Sequence, residues 1–179
     1  RTVCAQVLFL HTPKTGGSSV ECAAQQWQQL GWWTSMGHVQ SPEQVVPCRE
    51  RCEAASVPTV TVVSVRDPYA YWESTFAYCW AGGLDRQTAL EGLGIDLGRD
   101  TGALSSFDGF VRAIVASEEA TAAISQASAL AAACGRPCAF DHVLRTERLQ
   151  RDWLRLLAAV GLPPIGLPHT NPSADGGRR

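Results

Sequence analysis

Lysine is nearly absent from this 179-residue chain, which has 15 basic side chains: Lys14 is the only lysine, and all the others are arginine. Such a bias is typical of codon preference and has no functional meaning by itself. The single lysine is nevertheless a candidate functional residue, because every other basic position is arginine. The residues around Lys14 decide whether it has a function or occurs there by chance.

An excess of positive charge and long apolar runs are also lacking. The formal net charge of −2 excludes a general nucleic-acid binder, which needs a broad basic surface. A membrane-spanning helix needs about 18 consecutive apolar residues, and no such run exists here, so membrane attachment is expected only through a segment outside this chain. The chain begins at Arg1 without Met or a signal peptide, which predicts a processed or excised portion.

The remaining composition, 45% hydrophobic and 18% charged residues, supports a hydrophobic core and excludes wholesale disorder. The length fits a single domain, 1–179.

Cysteine is more abundant here than is usual in a cytosolic protein of this size. The seven cysteines are Cys4, Cys22, Cys48, Cys52, Cys79, Cys134 and Cys138. Two pairs have the spacing C-x-x-x-C, whereas a zinc site would favour C-x-x-C pairs, so no metal site is predicted. Disulfides in an oxidising compartment are favoured, with one thiol left over. For Cys4, Cys22 and Cys79, buried reduced thiols are an equal alternative.

The hydrophobic pattern predicts strands that alternate with helices. Val3–Leu10 and Thr59–Val65 are apolar or β-branched runs without alternation, which is typical of strands buried on both faces of a parallel sheet. Cys138–Leu144 predicts a third strand. This order predicts an α/β fold with a central parallel sheet. Residues 31–58 are predicted to be irregular and 81–105 to form a mobile loop.

Helices are predicted after each strand. The first buries one face, formed by Val20, Ala23, Trp27 and Leu30. The second begins at Pro68 and carries an aromatic stripe, Tyr69, Trp72 and Phe76, that predicts core packing. The region 107–133 is predicted to be helical in two pieces, with a break near Ser117 that caps the second piece. The last is predicted to be capped by Thr146, to have Glu147 as a dipole or capping partner, and to end at Gly161.

The loop after the first strand has the residue types that bind an anion. Its candidate ligands are Pro13, Lys14, Thr15, Gly16, Gly17, Ser18 and Ser19. Two glycines allow close approach of the backbone, and the following helix N-terminus, the ammonium and the hydroxyls favour phosphate or sulfate. The order differs from a Walker A motif, in which Lys follows the glycines. The alternative is a plain glycine turn.

A second candidate anion site follows the strand Thr59–Val65. Arg66 offers a planar, permanently charged fork to phosphate oxygens, and Ser74 follows one to two helical turns later. The two side chains are predicted to converge on one anion. The alternative is a local Arg66–Asp67 ion pair with Ser74 exposed.

These two segments, His-Thr-Pro-Lys-Thr-Gly-Gly-Ser-Ser and Val-Arg-Asp-Pro-x-x-x-x-x-Ser, resemble the two nucleotide signatures of sulfotransferases that use 3′-phosphoadenosine 5′-phosphosulfate (PAPS). The segment 134–149 is similar to the Cys-Pro-Cys and Glu-x-Leu region of Golgi carbohydrate sulfotransferases, and 169–173 is similar to their late His-x-Asn-x-Ser stretch. Two features depart from the family: Tyr71 stands where an Arg is common, and the family continues beyond the position of Arg179, which implies truncation at the C-terminus.

The resemblance implies a P-loop NTPase-like three-layer sandwich with PAPS as co-substrate, no metal, a hydroxyl acceptor on a carbohydrate, and a place in the Golgi lumen. It assigns loop 13–19 to the 5′-phosphosulfate, and Arg66 and Ser74 to the 3′-phosphate. Lys14 is expected to neutralise the bridging oxygen, and His38 to act as the base, with Glu21 and Glu73 as lesser candidates. The alternatives are a kinase-like phosphoryl-transfer enzyme and a non-catalytic nucleotide-binding remnant.

Overall fold

A computed structural model of the chain describes residues 6–36, 58–81, 106–116 and 140–169. Its strands are β1 (Gln6–Leu10), β2 (Trp33–Ser35), β3 (Thr59–Val65) and β4 (His142–Arg145). Its α-helices are α1 (Gly17–Gln29), α2 (Pro68–Ala81), α3 (Phe107–Val115) and α4 (Leu149–Val160), and a 3₁₀ turn covers Thr146–Arg148. The predicted alternation of strands and helices is therefore confirmed for the described ranges.

The four strands form one parallel sheet in the order β2-β1-β3-β4. In the centre, β1 pairs with β3 from Gln6 opposite Thr59 to Leu10 opposite Val63. After β1 the chain continues to β2 on one side of β1, and it then crosses to β3 on the other side. The chain connections therefore reverse direction across the sheet between β1 and β3. In open parallel sheets such a switch point leaves a crevice at the carboxyl ends of the strands.

One face of the sheet packs against α1 and α4. Phe9 of β1, Trp27 of α1, Trp33 of β2 and Trp153 of α4 are at most 3% exposed and belong to one cluster. The Trp33 and Trp153 rings meet edge to face, with centroids 5.5 Å apart, a geometry favoured by the aromatic quadrupole. The Trp33 indole N–H has no hydrogen-bond partner within the described residues.

The other face of the sheet is also buried. Leu8, Leu10 and Val63 are at most 3% exposed and form a second cluster. Because successive strand residues point to opposite faces, burial of both sets explains why β1 is apolar without alternation. The predicted mixed α/β fold with a parallel sheet is confirmed.

The predicted element boundaries hold at several points and fail at others. The bounds of β3 and the start of α2 at Pro68 are as predicted, and Gly161 ends α4 with φ 77°. β2 was missed, because it is a three-residue strand whose apolar residues are too few to show a period. Leu30 is 58% exposed, contrary to its predicted burial, because the helix ends at Gln29 and its apolar face does not extend that far.

The start of β4 is held by a reciprocal pair across the sheet. The Asp141 carboxylate accepts hydrogen bonds from the Thr61 backbone N–H and hydroxyl, both at 2.7 Å. These bonds, chiefly the one from the backbone N–H, lower the pKa of the Asp141 carboxyl below its ordinary value.

The chain divides into two compact units. The first comprises Arg1–Asp67 and Leu130–Arg179, and the second comprises Pro68–Ala129. The sheet, α1 and α4 belong to the first unit, and α2 and α3 to the second. The single-domain organisation over 1–179 stays a prediction.

In the second unit, α2 and α3 meet through aromatic rings. Phe76 of α2 packs against Phe107 and Phe110 of α3, with ring centroids 5.6 and 5.5 Å apart. The predicted aromatic stripe is wrong for Tyr69, which is 81% exposed, because it lies in the first turn of α2. Tyr71 is buried, and desolvation raises the pKa of its phenol.

Several predictions lie outside the described residues. They concern His38, the two cysteine pairs and residues 82–105; Ala81 itself ends α2. The predicted helix over 107–133 is described only as α3. Among the described cysteines, Cys22 is an exposed free thiol. Within the described ranges no helix is long and apolar enough to cross a bilayer.

Candidate functional site

The two predicted anion loops lie side by side at the carboxyl edge of the sheet. The first follows β1 and the second follows β3, and these strands are hydrogen-bonded neighbours running in the same direction. The Arg66 guanidinium donates from Nη1 to the Lys14 carbonyl oxygen at 3.2 Å. The residues that the sequence assigns to two separate anionic groups are therefore in direct contact in the first unit.

The first loop has a backbone that most residue types would not adopt. Lys14 has φ 60°, in the left-handed region that costs a non-glycine residue about 1–2 kcal/mol. Gly16 also lies there, with φ 78°. A Cβ at Gly17 would overlap the His11 imidazole, so the second glycine is required by close packing. Strain of this kind concentrates at functional sites.

Thr15 is fully buried and its hydroxyl is committed to the protein. It donates to the Thr12 carbonyl oxygen at 2.6 Å and lies 2.5 Å from the Ser64 hydroxyl. Because a hydroxyl has one proton, Ser64 is the donor in the second bond. The hydroxyl of Thr15 thus ties the loop to β3, and any contribution of this residue to anion binding would come from its backbone.

The start of α1 lacks the side chains that usually satisfy a helix N-terminus. Its N-cap is Gly16, no side chain makes a capping bond, and the first turn has no acidic residue. Ser18 is exposed and Ser19 half-buried. The positive end of the helix dipole, together with Lys14, makes this edge of the sheet attractive to an anion.

A third segment, which the sequence did not assign to the site, contacts both loops. The Thr146 hydroxyl lies 2.8 Å from the Thr15 carbonyl oxygen and 3.0 Å from the Val65 carbonyl oxygen. Thr146 was predicted to cap the last helix, but its hydroxyl is used here and makes no capping bond for the 3₁₀ turn or α4. Its true partners are 131 and 81 residues away in sequence, which local patterns cannot reveal.

Glu147 connects its own segment to the second loop. Its Oε1 accepts a hydrogen bond from the Asp67 backbone N–H at 2.7 Å. Glu147 lies in the first turn of the 3₁₀ helix, where a dipole partner was predicted, but its hydrogen bond goes to the residue before α2 and not to the start of its own helix.

His11, Glu21 and Ser35 form a polar cluster beside the first loop. The His11 Nδ1 lies 3.2 Å from the Glu21 carboxylate, and the Ser35 hydroxyl donates to the other oxygen of that carboxylate. Glu21, a predicted alternative base, is thus already engaged by two neighbours. His11 was not singled out from the sequence, although it opens the first signature.

The remaining predicted site residues are distributed as follows. Ser74 is half-buried and Glu73 exposed on α2 of the second unit, whereas Arg66 belongs to the first unit, so the convergence of Arg66 and Ser74 stays a prediction. His38 lies outside the described residues. In the ranges that the structure covers, no three His, Cys, Asp or Glu side chains are grouped as metal ligands would be.

Comparison of the chain with protein-family models, with curated proteins and with solved structures gives no match.

Proposed function

We propose that the protein is a PAPS-dependent sulfotransferase with a P-loop NTPase-like fold. The observation that carries this proposal is the contact between the Arg66 guanidinium and the Lys14 carbonyl oxygen. The parallel pairing of β1 with β3 explains why Lys14 and Arg66 follow adjacent central strands at their carboxyl ends, where ligands bind in parallel α/β sheets. A donor with anionic groups on the 3′ and 5′ positions of one ribose requires two neighbouring anion sites.

The first loop is suited to the phosphosulfate end of the donor. It supplies one ammonium group, a helix N-terminus without a capping side chain, and a backbone that two glycines allow to approach closely. Arg66 is suited to the other end, because its planar fork binds phosphate oxygens in a bidentate manner. The resemblance adds Ser74 to this end.

The proposed reaction is an in-line transfer of a sulfuryl group. The acceptor hydroxyl oxygen forms a bond to sulfur while the bond from sulfur to the bridging phosphate oxygen breaks. The negative charge that develops on that oxygen is neutralised by Lys14, and the acceptor proton passes to a base, for which His38 is the proposed residue. Preorganised groups aimed at developing charge contribute about 2.7–4 kcal/mol each. The proposed acceptor is a carbohydrate hydroxyl.

Nucleotide binding followed by turnover tests the proposal. By calorimetry, the full chain is expected to bind adenosine 3′,5′-bisphosphate more tightly than ADP, and with PAPS it is expected to sulfate at least one member of a glycan panel. Preference for ADP would contradict the proposal and favour a kinase-like enzyme. Tight binding of the bisphosphate without turnover on any glycan would favour a non-catalytic nucleotide-binding module.

Substitution of Arg66 gives a sharper test. Arg66→Met is expected to weaken bisphosphate binding at least tenfold, since hydrogen bonds to charged groups contribute about 1.5–3 kcal/mol. Arg151→Met, at an exposed position of α4, removes the same charge and is the matched control. Equal affinity of the two variants would contradict the role of Arg66.

A further inference from the structure

We propose that the segment Thr146–Glu147 fixes the distance between the two anion loops, and so makes the site selective for an adenosine nucleotide that is phosphorylated at both the 3′ and the 5′ position of its ribose. This inference rests on the proposed function and deepens it. Thr146 and Glu147 act through the loops as positioning residues and are not assigned contact with the nucleotide.

Thr146 joins the two loops through a single hydroxyl. Its one proton is shared between the Thr15 carbonyl oxygen of the first loop, at 2.8 Å, and the Val65 carbonyl oxygen, at 3.0 Å. Val65 is the residue directly before Arg66. The hydroxyl therefore ties the backbone beside Lys14 to the backbone beside Arg66, in parallel with the bond from Arg66 to Lys14.

The residues around Thr146 add two further points of attachment. Glu147 accepts the Asp67 backbone N–H at 2.7 Å, directly after Arg66. Leu149 packs so closely on Gly16 that a Cβ there would lie 2.7 Å from its Cδ2 atom. Besides Thr146, the second loop is therefore held by the hydrogen bond to Glu147 and the first loop by packing against Leu149.

The segment is itself anchored by a buried carboxylate. Asp152 is 7% exposed and accepts hydrogen bonds from the Arg145 backbone N–H at 3.1 Å and from the Arg148 side chain at 3.0 Å. These bonds bracket Thr146 and Glu147 on either side. Because α4 is packed into the core through Trp153 and Leu156, Asp152 connects the spacing of the loops to a rigid element.

Fixed spacing matters only for a ligand that occupies both loops. When one phosphate is bound, the second binds intramolecularly. The resulting gain in affinity depends on whether the second site lies at the right distance from the first. A nucleotide with one phosphate uses one loop and has no such requirement. The first loop keeps the bonds of Thr15 with Thr12 and with Ser64 of β3, so binding of a single phosphate at this loop should survive loss of the bridge.

The test compares binding of three probes to the full chain by calorimetry: adenosine 3′,5′-bisphosphate, adenosine 5′-monophosphate and adenosine 3′-monophosphate. Thr146→Val removes the hydroxyl at nearly constant shape, and Thr146→Ser keeps it. We expect Thr146→Val to weaken the bisphosphate about tenfold and each monophosphate less than twofold. Thr146→Ser is expected to restore the preference of the unaltered chain.

A second pair of variants tests the inference independently, so that the test does not depend on correct folding of Thr146→Val. Glu147 is exposed, so Glu147→Ala should fold, and it removes the acceptor of the Asp67 N–H, whereas Glu147→Gln keeps an acceptor oxygen. Glu147→Ala is expected to lower the preference for the bisphosphate, and Glu147→Gln to retain most of it.

The outcomes separate this inference from the proposed function. If the unaltered chain prefers the bisphosphate and the variants weaken all three probes equally, or none of them, the spacing role is overturned and the proposed function stands. If the unaltered chain shows no preference for the bisphosphate over either monophosphate, both are overturned. Selective loss in Thr146→Val and Glu147→Ala, with recovery in the conservative variants, supports the inference.

Discussion

Two helices of this protein begin in opposite ways. α3 begins with Ser106, whose side chain accepts a hydrogen bond from the Gly109 backbone N–H at 3.1 Å, and it has Asp108 in its first turn. α1 begins with Gly16, has no side-chain cap, and has no acidic residue in its first turn. In α3 a side chain satisfies one N-terminal amide and an acidic residue lies at the positive end of the dipole, whereas α1 has neither feature.

Under the proposed function, this difference separates a helix start that favours stability from one that favours anion binding. A Ser cap with an acidic first turn stabilises a helix and occupies the place where an anion would bind. At α1 that place follows Lys14, whose backbone is strained, and lies in the loop that contacts Arg66. The start of α1 therefore has the features expected of a site where a bound anion takes the place of a capping side chain.

The largest expected effect comes from removing the ammonium group beside α1. Lys14→Ala and Lys14→Gly should both lower sulfuryl transfer about 100-fold or more, because the charge on the leaving oxygen is no longer neutralised. Lys14→Gly should be more stable than Lys14→Ala by about 1 kcal/mol, since only glycine adopts φ 60° without strain. Steady-state kinetics and thermal unfolding measure the two effects.

Retention of turnover in either Lys14 variant would contradict the mechanism. Equal stability of the two variants would instead show that the left-handed conformation of Lys14 is not strained.

The next effect comes from making α1 resemble α3. Ser18 occupies the position in α1 that Asp108 occupies in α3, the second residue of each helix. Ser18→Asp should raise the free energy of unfolding by about 0.3–1 kcal/mol through the helix dipole. It should also weaken bisphosphate binding about tenfold, because the carboxylate repels the phosphate. Ser18→Asn, of similar size and neutral, is the control in calorimetry and chemical denaturation.

A stabilised Ser18→Asp variant with unchanged affinity for the bisphosphate would place the anion site away from α1.

The smallest effect is expected at α3. Ser106→Ala removes the capping bond to Gly109 and should lower the free energy of unfolding by about 1 kcal/mol. Affinity for the bisphosphate should stay the same, because this cap serves only the helix. Denaturant unfolding and calorimetry on one preparation test both statements, and a parallel loss of affinity would show that α3 also supports the binding site.

Local patterns in the sequence were sufficient for most of the main elements, whereas anion binding by the two loops stays a prediction. β3 and the start of α2 were predicted correctly, because β-branched runs and an Asp-Pro pair act over a few residues. The predictions for Leu30 and Tyr69 were wrong because Leu30 follows the last residue of α1 and Tyr69 lies in the first turn of α2, and both side chains are exposed. Periodicity indicates which face is apolar and does not indicate where burial stops.

The sequence by itself determined a parallel α/β fold, with a Lys-Thr-Gly-Gly loop after one buried strand and an Arg after another. These features depend on the periodicity of side chains and on the backbone preferences of glycine and proline, which are local properties. Only the tertiary structure decided that the two loops touch, that Thr146 bridges them, and that Asp152 holds Thr146 in place. These contacts join residues up to 131 positions apart, and their partners are backbone groups, which are present at every residue and leave no pattern in the sequence.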